Sequence, residues 1–334
     1  MVIVETKLGN RFSLQSGWPI PMLVQAVDDC GSAVSSATVA AGFTGNEPPL
    51  VFQNLRNGNY MATWVPATKG SIGVTIRAVA SGLEDGVFQF SGTLGEASKL
   101  PLVFRDGWVN AASFDRYKPL APGMIFSLFG SNLAEGRNLA AQIPLPRTLG
   151  NIRATLSGYE APLFYADGGQ VNAQVPFELT PGVATLVVTG KEAAGAPGTV
   201  TIVNAQPGVF TVSQSGTGQG VVLDGLNNLV DSSHAVKAGE AVVIYATGLG
   251  ATSPAVATGQ AAPAVPPLAL VTTPVKVTIG GVDATVEFAG LAPGFVGLYQ
   301  VNARVPAGVA AGNAVPLVIT QNGVASNTVT IAVK

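Results

Sequence analysis

Two stretches of the chain share the pattern Gln-Val-Asn-Ala-x-Val-Pro. Residues 289–306 read AGLAPGFVGLYQVNARVP, and residues 161–176 read APLFYADGGQVNAQVP. An apolar segment with aromatic residues precedes each pattern, and a Gly-led run resembling a strand follows it. Self-similarity of this kind indicates a structural unit that occurs more than once, so the chain is predicted to be modular.

The composition favours short strands joined by tight turns. The chain has 334 residues, a length typical of two or three domains. Hydrophobic residues make up 47% and charged residues 11%, which excludes wholesale disorder. The 41 glycines and 23 prolines are spread between runs of Val, Thr and Ile, a distribution typical of all-β proteins.

Charge and hydropathy limit the classes of partner. The net charge is -2 and no basic patch occurs, so nucleic-acid binding is not expected. No apolar run approaches the ~20 residues of a membrane helix, so membrane insertion is not expected either. The first residues lack the pattern of a signal peptide. We therefore expect a mature form, or a fragment, of a secreted or cell-surface protein.

The first unit, residues 1–103, contains about seven predicted strands, the number of an immunoglobulin-like sandwich. In the run 58–66, Tyr60 and Trp64 share one face, and Trp64 is predicted to lie in the core. This run resembles the filamin- and invasin-like immunoglobulin repeats. The only cysteine, Cys30, has no internal disulfide partner and is predicted to be a small buried hydrophobic residue.

The rest of the chain is predicted to form two related units, residues 104–206 and 207–334. Each of them contains a Gly-led strand, at residues 122–133 and 238–249, which a long loop rich in Pro and Ala follows, at residues 134–147 and 250–274. Because residues 251–267 contain no aromatic or charged residue, the loops are interpreted as solvated excursions, and a role in binding or packing is the alternative. The glycine-rich run 216–220 lacks the ending of a phosphate-binding loop and is interpreted as a flexible connection.

Several motifs in this part resemble a known group of proteins. They are PGMIFSLFGSNLA at residues 122–134, AGEAVVIYATGLGATSPAVATGQAAPA at 238–264 and NGVASNTVTIAV at 322–333. With the two Gln-Val-Asn-Ala stretches, they resemble the C-terminal region of large secreted proteins of Acidobacteria of the Solibacter type. The single units resemble IPT/TIG immunoglobulin-like domains. The resemblance implies a noncatalytic extracellular region and supplies no functional residues.

The predicted fold is therefore all-β, with three tandem immunoglobulin-like β-sandwich domains. Near the C-terminus, the turn Gly280–Gly281 predicts a two-residue hairpin in which Ile279 faces Val282, and it predicts that Phe288 is buried. The turn Asn322–Gly323 predicts a second hairpin. Its apolar pattern fits only if a bulge near Ser326–Asn327 absorbs one residue.

Two junctions differ in composition. The segment 204–210 holds Pro207, which fixes φ, and it contains no Gly/Ser tract. Val209 and Phe210 follow and are expected to be buried at the seam of the two units or in the first strand of the third. The segment 96–100 is more polar, so we expect it to bend and to be cleaved more easily.

The sequence offers no catalytic residue. His234, the only histidine, follows Asp231 and two serines, but no Gly-x-Ser-x-Gly elbow occurs, so it is interpreted as a polar loop residue. One His and one Cys exclude an ordinary zinc site within one chain, and no cofactor is predicted. Weak calcium candidates are Asp28, Asp29 and Asp106, for which solvated turn carboxylates are the simpler interpretation.

Two sets of residues are open to a role in binding. Trp18 and Trp108 are candidates for contact with a glycan. The repeated amides Gln170, Asn172, Gln300 and Asn302 could form a polar stripe for a ligand or could tie a strand to the preceding loop. Because the same residues recur beside different loops, the structural interpretation is favoured.

Three hypotheses for function follow. The first is a noncatalytic extracellular structural or adhesive module, such as a stalk, a surface attachment or a filament subunit. Its partners would be copies of itself, or a glycan or protein at a surface. The second is a glycan-binding accessory region of a larger secreted hydrolase. The third, an enzyme, has the least support.

Overall fold

The computed structural model describes residues 1–96, 100–191 and 194–334, in which the regular structure is all β-strand. No helix in these ranges has the length and apolar character needed to cross a membrane. The chain contacts divide it into two compact units, Met1–Lys99 and Leu100–Lys334. The prediction of an all-β chain of tandem immunoglobulin-like sandwiches is confirmed.

The first sandwich has nine strands within residues 1–96. They are β1 (Val2–Glu5), β2 (Phe12–Gln15), β3 (Ile20–Val27), β4 (Thr38–Phe43), β5 (Leu50–Val51), β6 (Gln53–Arg56), β7 (Asn59–Trp64), β8 (Gly70–Val79) and β9 (Gly86–Gly95). One sheet has the order β1-β3-β7-β6 and the other β2-β9-β8-β4-β5. The predicted junction segment at residues 97–99 lies outside the described residues.

The core of this sandwich is built around Trp64, which is buried as predicted. Its ring stacks on Phe43 with 4.6 Å between ring centroids and meets Phe12 edge-on at 6.2 Å. The fully buried Tyr60 donates a hydrogen bond to Val34 O (2.7 Å), so its hydroxyl is satisfied inside the core.

The second sandwich also has nine strands within residues 100–191 and 194–206. They are β10 (Leu102–Asn110), β11 (Ile125–Ser131), β12 (Asn138–Leu139), β13 (Arg153–Leu156), β14 (Tyr159–Ala161), β15 (Leu163–Ala166), β16 (Gln170–Gln174), β17 (Gly182–Thr189) and β18 (Gly198–Ile202). Its sheets have the orders β10-β11-β16-β15-β12 and β14-β13-β17-β18. The first Gln-Val-Asn-Ala stretch forms β16, at the centre of the five-stranded sheet.

The third sandwich contains twelve strands. They are β19 (Gly208–Val209), β20 (Gly218–Gln219), β21 (Val222–Asp224), β22 (Ala241–Thr247), β23 (Thr252–Ser253), β24 (Leu270–Val271), β25 (Val275–Ile279), β26 (Val282–Leu291), β27 (Tyr299–Arg304), β28 (Gly312–Gln321), β29 (Val324–Ala325) and β30 (Val329–Val333). The main path is β19-β22-β27-β26-β25-β28-β30-β20. Strand β26 pairs first with β25 and then with β27.

The hairpin at Gly280–Gly281 forms as predicted, with Ile279 opposite Val282. The prediction that Phe288 is buried is wrong, because the pairing of β26 with β27 contains a bulge. Val286 faces Ala303 and Phe288 faces Asn302, which leaves Glu287 as the extra residue. The bulge exchanges the faces of the strand beyond it, so the half-buried Phe288 lies on the outer face with Asn302.

The predicted C-terminal bulge is confirmed. Gln321 faces Val324 across the two-residue turn, whereas Leu317 faces Val329, so one residue is absorbed between the two pairs. Asn327 lies in this bulge. Its Oδ1 accepts a hydrogen bond from Val209 N (2.8 Å) and its Nδ2 donates to Val209 O (3.0 Å). The amide thus replaces a neighbouring strand in holding β19.

Candidate binding cleft between the second and third sandwiches

The second and third sandwiches lie in one compact unit and meet at a polar seam. The buried hydroxyl of Thr247 accepts a hydrogen bond from Ile125 N (2.9 Å) and donates one to Gly297 O (2.9 Å). Ile125 belongs to the second sandwich, so one side chain joins both. Asn110 Nδ2 adds a buried bond to Gln206 O (3.0 Å). Buried polar groups paired in this way are costly to separate.

The long loop at residues 250–274 also crosses the seam. Gly259 N donates to Gln174 Oε1 (2.7 Å), and Phe177 N donates to Thr258 Oγ1 (2.9 Å). Thr258 and Gly259 are buried. The interpretation of this loop as a solvated excursion is therefore wrong at Thr258 and Gly259, which bond to the second sandwich. Residues 253–255 and 264–267 are exposed as expected.

The loop at residues 134–147 is likewise anchored. Leu145 is buried, and its N–H donates to Gly259 O (2.9 Å), while Ala140 N donates to Phe164 O (2.9 Å). The two long loops therefore contact one another across the seam. The expectation of solvation is wrong at Leu145, whereas residues 135–137 and 141–144 of this loop are exposed as expected.

Side chains from both sandwiches complete the seam. Phe177 of the second sandwich packs against the core of the third. The expectation for the segment after Pro207 is confirmed for Val209, which is fully buried in that core and forms β19. It is wrong for Phe210, which is half-buried because successive side chains of an extended segment point to opposite faces. The run 216–220 is not a loose connection. Gly218 and Gln219 form β20, which pairs with β30.

A cleft of about 710 Å³ opens along the seam, within the size range of ligand pockets. Its aromatic lining consists of Phe114, Phe164, Phe210, Tyr245 and Phe295. None of the described residues lining it carries a charged side chain. A second hollow of about 590 Å³ shares Phe164 and Phe295 with the first and extends it toward residues 140–143. The cleft is therefore long, uncharged and largely apolar.

Phe164 enters the cleft because of a bulge. Leu163 faces Ala173 and Tyr165 faces Asn172, so Phe164 is the extra residue of β15. Bulges re-aim side chains in this way. Phe295 is contributed by the loop between β26 and β27 and is 56% exposed, so a large apolar ring faces solvent.

A pair of amides lies on the floor of the cleft. Gln170 and Asn172 project from the same face of β16, and Gln170 Nε2 donates to Asn172 Oδ1 (2.8 Å). Gln300 and Asn302 form the same bond, also 2.8 Å, in the third sandwich. In each pair the two amides thus bond to one another. The prediction that these side chains tie the strand to the preceding loop is wrong for these two bonds. The first pair alone lines this cleft.

The rims of the cleft are held in unusual backbone conformations. Phe114 has φ 55° and Gln214 has φ 53°, a region that bulky side chains rarely adopt. Asn110 Oδ1 supports the first rim by accepting a hydrogen bond from Ala112 N (2.9 Å). Gly216, at the second rim, approaches the carbonyl of Ser113 so closely that a Cβ would overlap it. Strain of this kind concentrates at functional sites.

A charged group borders the amide pair on the same sheet. Tyr165 donates a hydrogen bond to Asp167 Oδ2 (2.5 Å), which lowers the pKa of Asp167 and raises the pKa of Tyr165. Asp167 Oδ1 also accepts a bond from Gln170 N (2.7 Å), and Arg137 lies 5.7 Å from the centre of the Tyr165 ring. Asp167 therefore fixes the start of β16.

The two predicted glycan contacts lie apart from this cleft. Trp108 is half-buried in β10 and packs against the core of the second sandwich. Trp18 is half-buried in the first sandwich and lines a hollow of about 700 Å³ with Pro19, Pro21 and Gln15. Trp18 thus keeps an accessible face, whereas the position of Trp108 is mainly structural.

The calcium candidates do not form a cluster. Asp28 Oδ1 accepts hydrogen bonds from Cys30 N (2.9 Å) and Ser32 N (2.8 Å) in its own turn. Asp29 is exposed, and Asp106 pairs with Arg105 at 3.7 Å. Among the described residues, no group of three or more His, Cys, Asp or Glu side chains could hold a metal ion.

The prediction that Cys30 is buried is wrong. Cys30 is exposed at the tip of the turn that begins at Asp28. The turn places it there because Asp28 closes the turn by accepting bonds from the backbone, and the residues at its tip then have no core to enter.

His234 lies in an exposed loop. Its Nδ1 is 3.6 Å from Asp231 Oδ1, and that oxygen also accepts hydrogen bonds from the backbone N–H groups of Ser233 (2.8 Å) and His234 (3.1 Å). These backbone bonds lower the pKa of Asp231. The arrangement is that of a capped turn, with Asp231 engaged by its own loop.

Sequence reasoning missed the aromatic lining of the cleft. Phe164 and Phe295 stand in the two quoted stretches. Phe164 is eight residues before Asn172, whereas Phe295 is seven residues before Asn302. The sequence pattern does not distinguish them from core aromatics, because the bulge and the loop that expose them depend on pairing with distant strands. A signal was available in the comparison of the two stretches, because their phenylalanines stand at different distances from the repeated asparagine.

Comparison with known proteins shows no established family. No protein-family model matches the chain, and no curated protein matches it. Solved structures with some similarity include SGBP-B of the mixed-linkage glucan utilization locus of Bacteroides ovatus, in complex with a mixed-linkage heptasaccharide. That structure has 11% identity and a TM-score of 0.33, over 100% of this chain and 68% of that one.

Two further structures illustrate the range. Invasin, a bacterial integrin-binding protein, has 13% identity and a TM-score of 0.23, over 100% of this chain and 60% of its own. Domains 5-6 of the S-layer protein SbsC have 12% identity and a TM-score of 0.26, over 60% and 98%. Values this low transfer no function to this chain.

Proposed function

We propose that the chain is a noncatalytic module of a secreted or cell-surface protein, with a structural or adhesive role. In this proposal the second and third sandwiches act as one rigid element. Its partners would be further copies of the chain, or a glycan or protein at a surface.

The seam at Thr247 is the observation that supports this proposal most directly. One buried hydroxyl bonds to the backbone of both sandwiches, at Ile125 and Gly297. Opening the seam would expose these partners together with Phe177, which packs on the opposing core. Domains that are joined only by a flexible tether lack contacts of this kind. Because the two sandwiches have such contacts, a force applied to one of them would be transmitted to the other.

Rigidity can be measured by electron spin resonance on the full chain. Spin labels would be placed at Val183 and Leu226, which are exposed positions of the second and third sandwiches, in a Cys30→Ser background. A single narrow distance distribution is expected. A broad distribution, comparable with that of a pair of domains on a flexible linker, would contradict the proposal.

The noncatalytic part of the proposal has its own test. The purified chain would be assayed against polysaccharide, ester and peptide substrates beside a His234→Ala variant. No turnover is expected from either. Turnover by the wild-type chain that is lost in the variant would show an active site in the loop that contains Asp231 and His234.

A further inference from the structure

We propose that the cleft between the second and third sandwiches is a binding site for a neutral saccharide. The site assigned is the cleft of about 710 Å³ whose floor carries Gln170 and Asn172 and whose rim carries Phe295. This inference rests on the joined sandwiches of the proposed function and assigns a site and a chemical class to one of its partners.

The lining carries no charged side chain, which favours a neutral ligand over an ionic one. The described residues around the cleft offer aromatic rings, aliphatic groups, amides and hydroxyls, and no charged side chain. An ionic ligand entering here would lose its hydration without gaining an opposite charge, which is costly. A neutral ligand does not meet this penalty.

The aromatic lining suits a ligand with one apolar face. Phe164 and Phe295 are shared by the cleft and its extension, so they stand at the centre of the long hollow. Sugar rings present C–H groups on one face, and these can pack on an aromatic ring while the hydroxyl groups point elsewhere. The exposure of Phe295 is explained if its ring is covered when the ligand is bound.

The amide pair suits the hydroxyl groups of such a ligand. The bond from Gln170 to Asn172 fixes both side chains and uses one donor and one acceptor. Within the described part of the chain, Gln170 Oε1 and Asn172 Nδ2 have no other hydrogen-bond partner. Both residues line the cleft, and the remaining acceptor and donor suit a saccharide hydroxyl, which both donates and accepts.

A peptide strand fits the floor less well. The floor is formed by side chains of β11 and β16, whose backbone groups are paired with each other from Ile125–Gln174 to Phe129–Gln170. An extended peptide gains affinity chiefly by adding backbone bonds to an open sheet edge. Such bonds are not offered on this face.

The cleft is also held open before any ligand arrives. Its walls come from two sandwiches that Thr247 and Asn110 join, and its rims are fixed at Phe114 and Gln214. A site that needs no rearrangement loses less conformational entropy on binding. The strain at Phe114 has an explanation if its ring must be presented to a ligand.

The test is affinity electrophoresis of the full chain in gels containing soluble polysaccharides. The neutral panel is β-glucan, mannan, galactan and dextran, and the acidic panel is alginate and polygalacturonate. Retardation by at least one neutral polysaccharide is expected. Absence of retardation by all four, or retardation by the acidic polymers alone, would overturn the proposal.

Variants assign the binding to the cleft. Asn172→Ala and Phe295→Ala are expected to raise the dissociation constant about tenfold or more. Asn302→Ala and Phe288→Ala are the matched controls, since they change the equivalent amide pair and another partly exposed phenylalanine outside this cleft. Equal losses in the controls would overturn the assignment. Thermal unfolding of all four variants checks that each is folded.

Two further results separate this inference from its alternatives. A narrow spin-label distribution without retardation would leave the rigid element standing and remove the saccharide site. Capture of peptides from a displayed library, lost in Phe295→Ala, without retardation in any neutral gel, would assign the cleft to a peptide instead and overturn the proposal.

Discussion

Phe164 and Glu287 occupy the same position of the same bulge in the second and third sandwiches. Each is the extra residue that precedes the partner of the repeated asparagine, Asn172 or Asn302. Phe164 lines the cleft, whereas Glu287 is paired with Arg304 on an exposed face, with 2.6 Å between Oε1 and Nε. The two copies therefore have the same strand pairing and the same bulge, but they differ in the residue at the bulge.

The residue two positions after the repeated asparagine changes in the same way. Arg304 corresponds to Gln174, which is fully buried in the seam and accepts a hydrogen bond from Gly259. In the second sandwich, Phe164 and Gln174 are neutral and lie beside the third sandwich. In the third sandwich, Glu287 and Arg304 are exposed and form an ion pair. The two copies thus differ in whether this part of the sheet is buried in the seam or exposed to solvent.

Exchanging these residues tests that interpretation. Gln174→Arg places an unpaired charge in the seam and is expected to lower the free energy of unfolding by about 3 kcal/mol or more. Arg304→Gln removes a pair exposed to solvent and should cost less than about 1 kcal/mol. Denaturant unfolding measures both, and equal small effects would contradict the assignment of Gln174 to a closed seam.

Gly216 and Gly218, which begins β20, allow the cost of backbone strain to be measured apart from the cost of a steric collision. Gly216 (φ 79°) lies against the Ser113 carbonyl, whereas Gly218 (φ 85°) faces open space. Gly218→Ala is expected to cost about 1–2 kcal/mol from its positive φ alone. Gly216→Ala should cost clearly more, because the rim must also move. Similar losses of unfolding free energy in both variants would show that the contact with Ser113 is not needed.

The register of β26 makes a prediction about Phe288. Because this side chain is half-buried on the outer face, Phe288→Ala should cost about 1 kcal/mol, typical of sites away from the core. Phe126→Ala, at a fully buried position of the second sandwich, should cost ~3–5 kcal/mol. A loss of that larger size at Phe288 would mean that the bulge at Glu287 is wrong.

Phe288 also shows how far sequence reasoning reaches. Local patterns predicted the hairpin at Gly280–Gly281, the bulge near Ser326–Asn327 and the burial of Trp64, because a turn type or alternation determines each. The burial of Phe288 depends instead on a bulge opposite a strand that follows it. The cleft was not predictable because its walls come from residues far apart in sequence, such as Phe114 and Phe295.

Glu47 gives the first sandwich a pH-dependent stability. Burial tends to raise the pKa of this carboxyl, but hydrogen bonds from Thr68, Trp64 and Ala67 outweigh burial, and its pKa lies below the ordinary value of 4.5. Since the folded pKa is the lower one, the stabilisation is present above pH 4.5 and is lost as the pH falls through the folded pKa.

The measurement is the free energy of unfolding between neutral pH and pH 2 for the wild type and Glu47→Gln. The variant should be less stable at neutral pH and should lose less stability in acid than the wild type. Glu84→Gln, at an exposed position, is the control and should follow the wild type. Parallel curves for the wild type and Glu47→Gln would contradict the role given to these bonds.

Limited proteolysis of the full chain tests the central claim that the second and third sandwiches form one rigid element. Pro207, Gly208 and Val209 are buried, so a protease cannot reach the junction 204–210 without opening the seam. A broad-specificity protease is predicted to cut first within residues 96–100 and to leave residues 101–334 as a lasting fragment. First cleavage between Gln206 and Val209, mapped by mass spectrometry, would contradict the account.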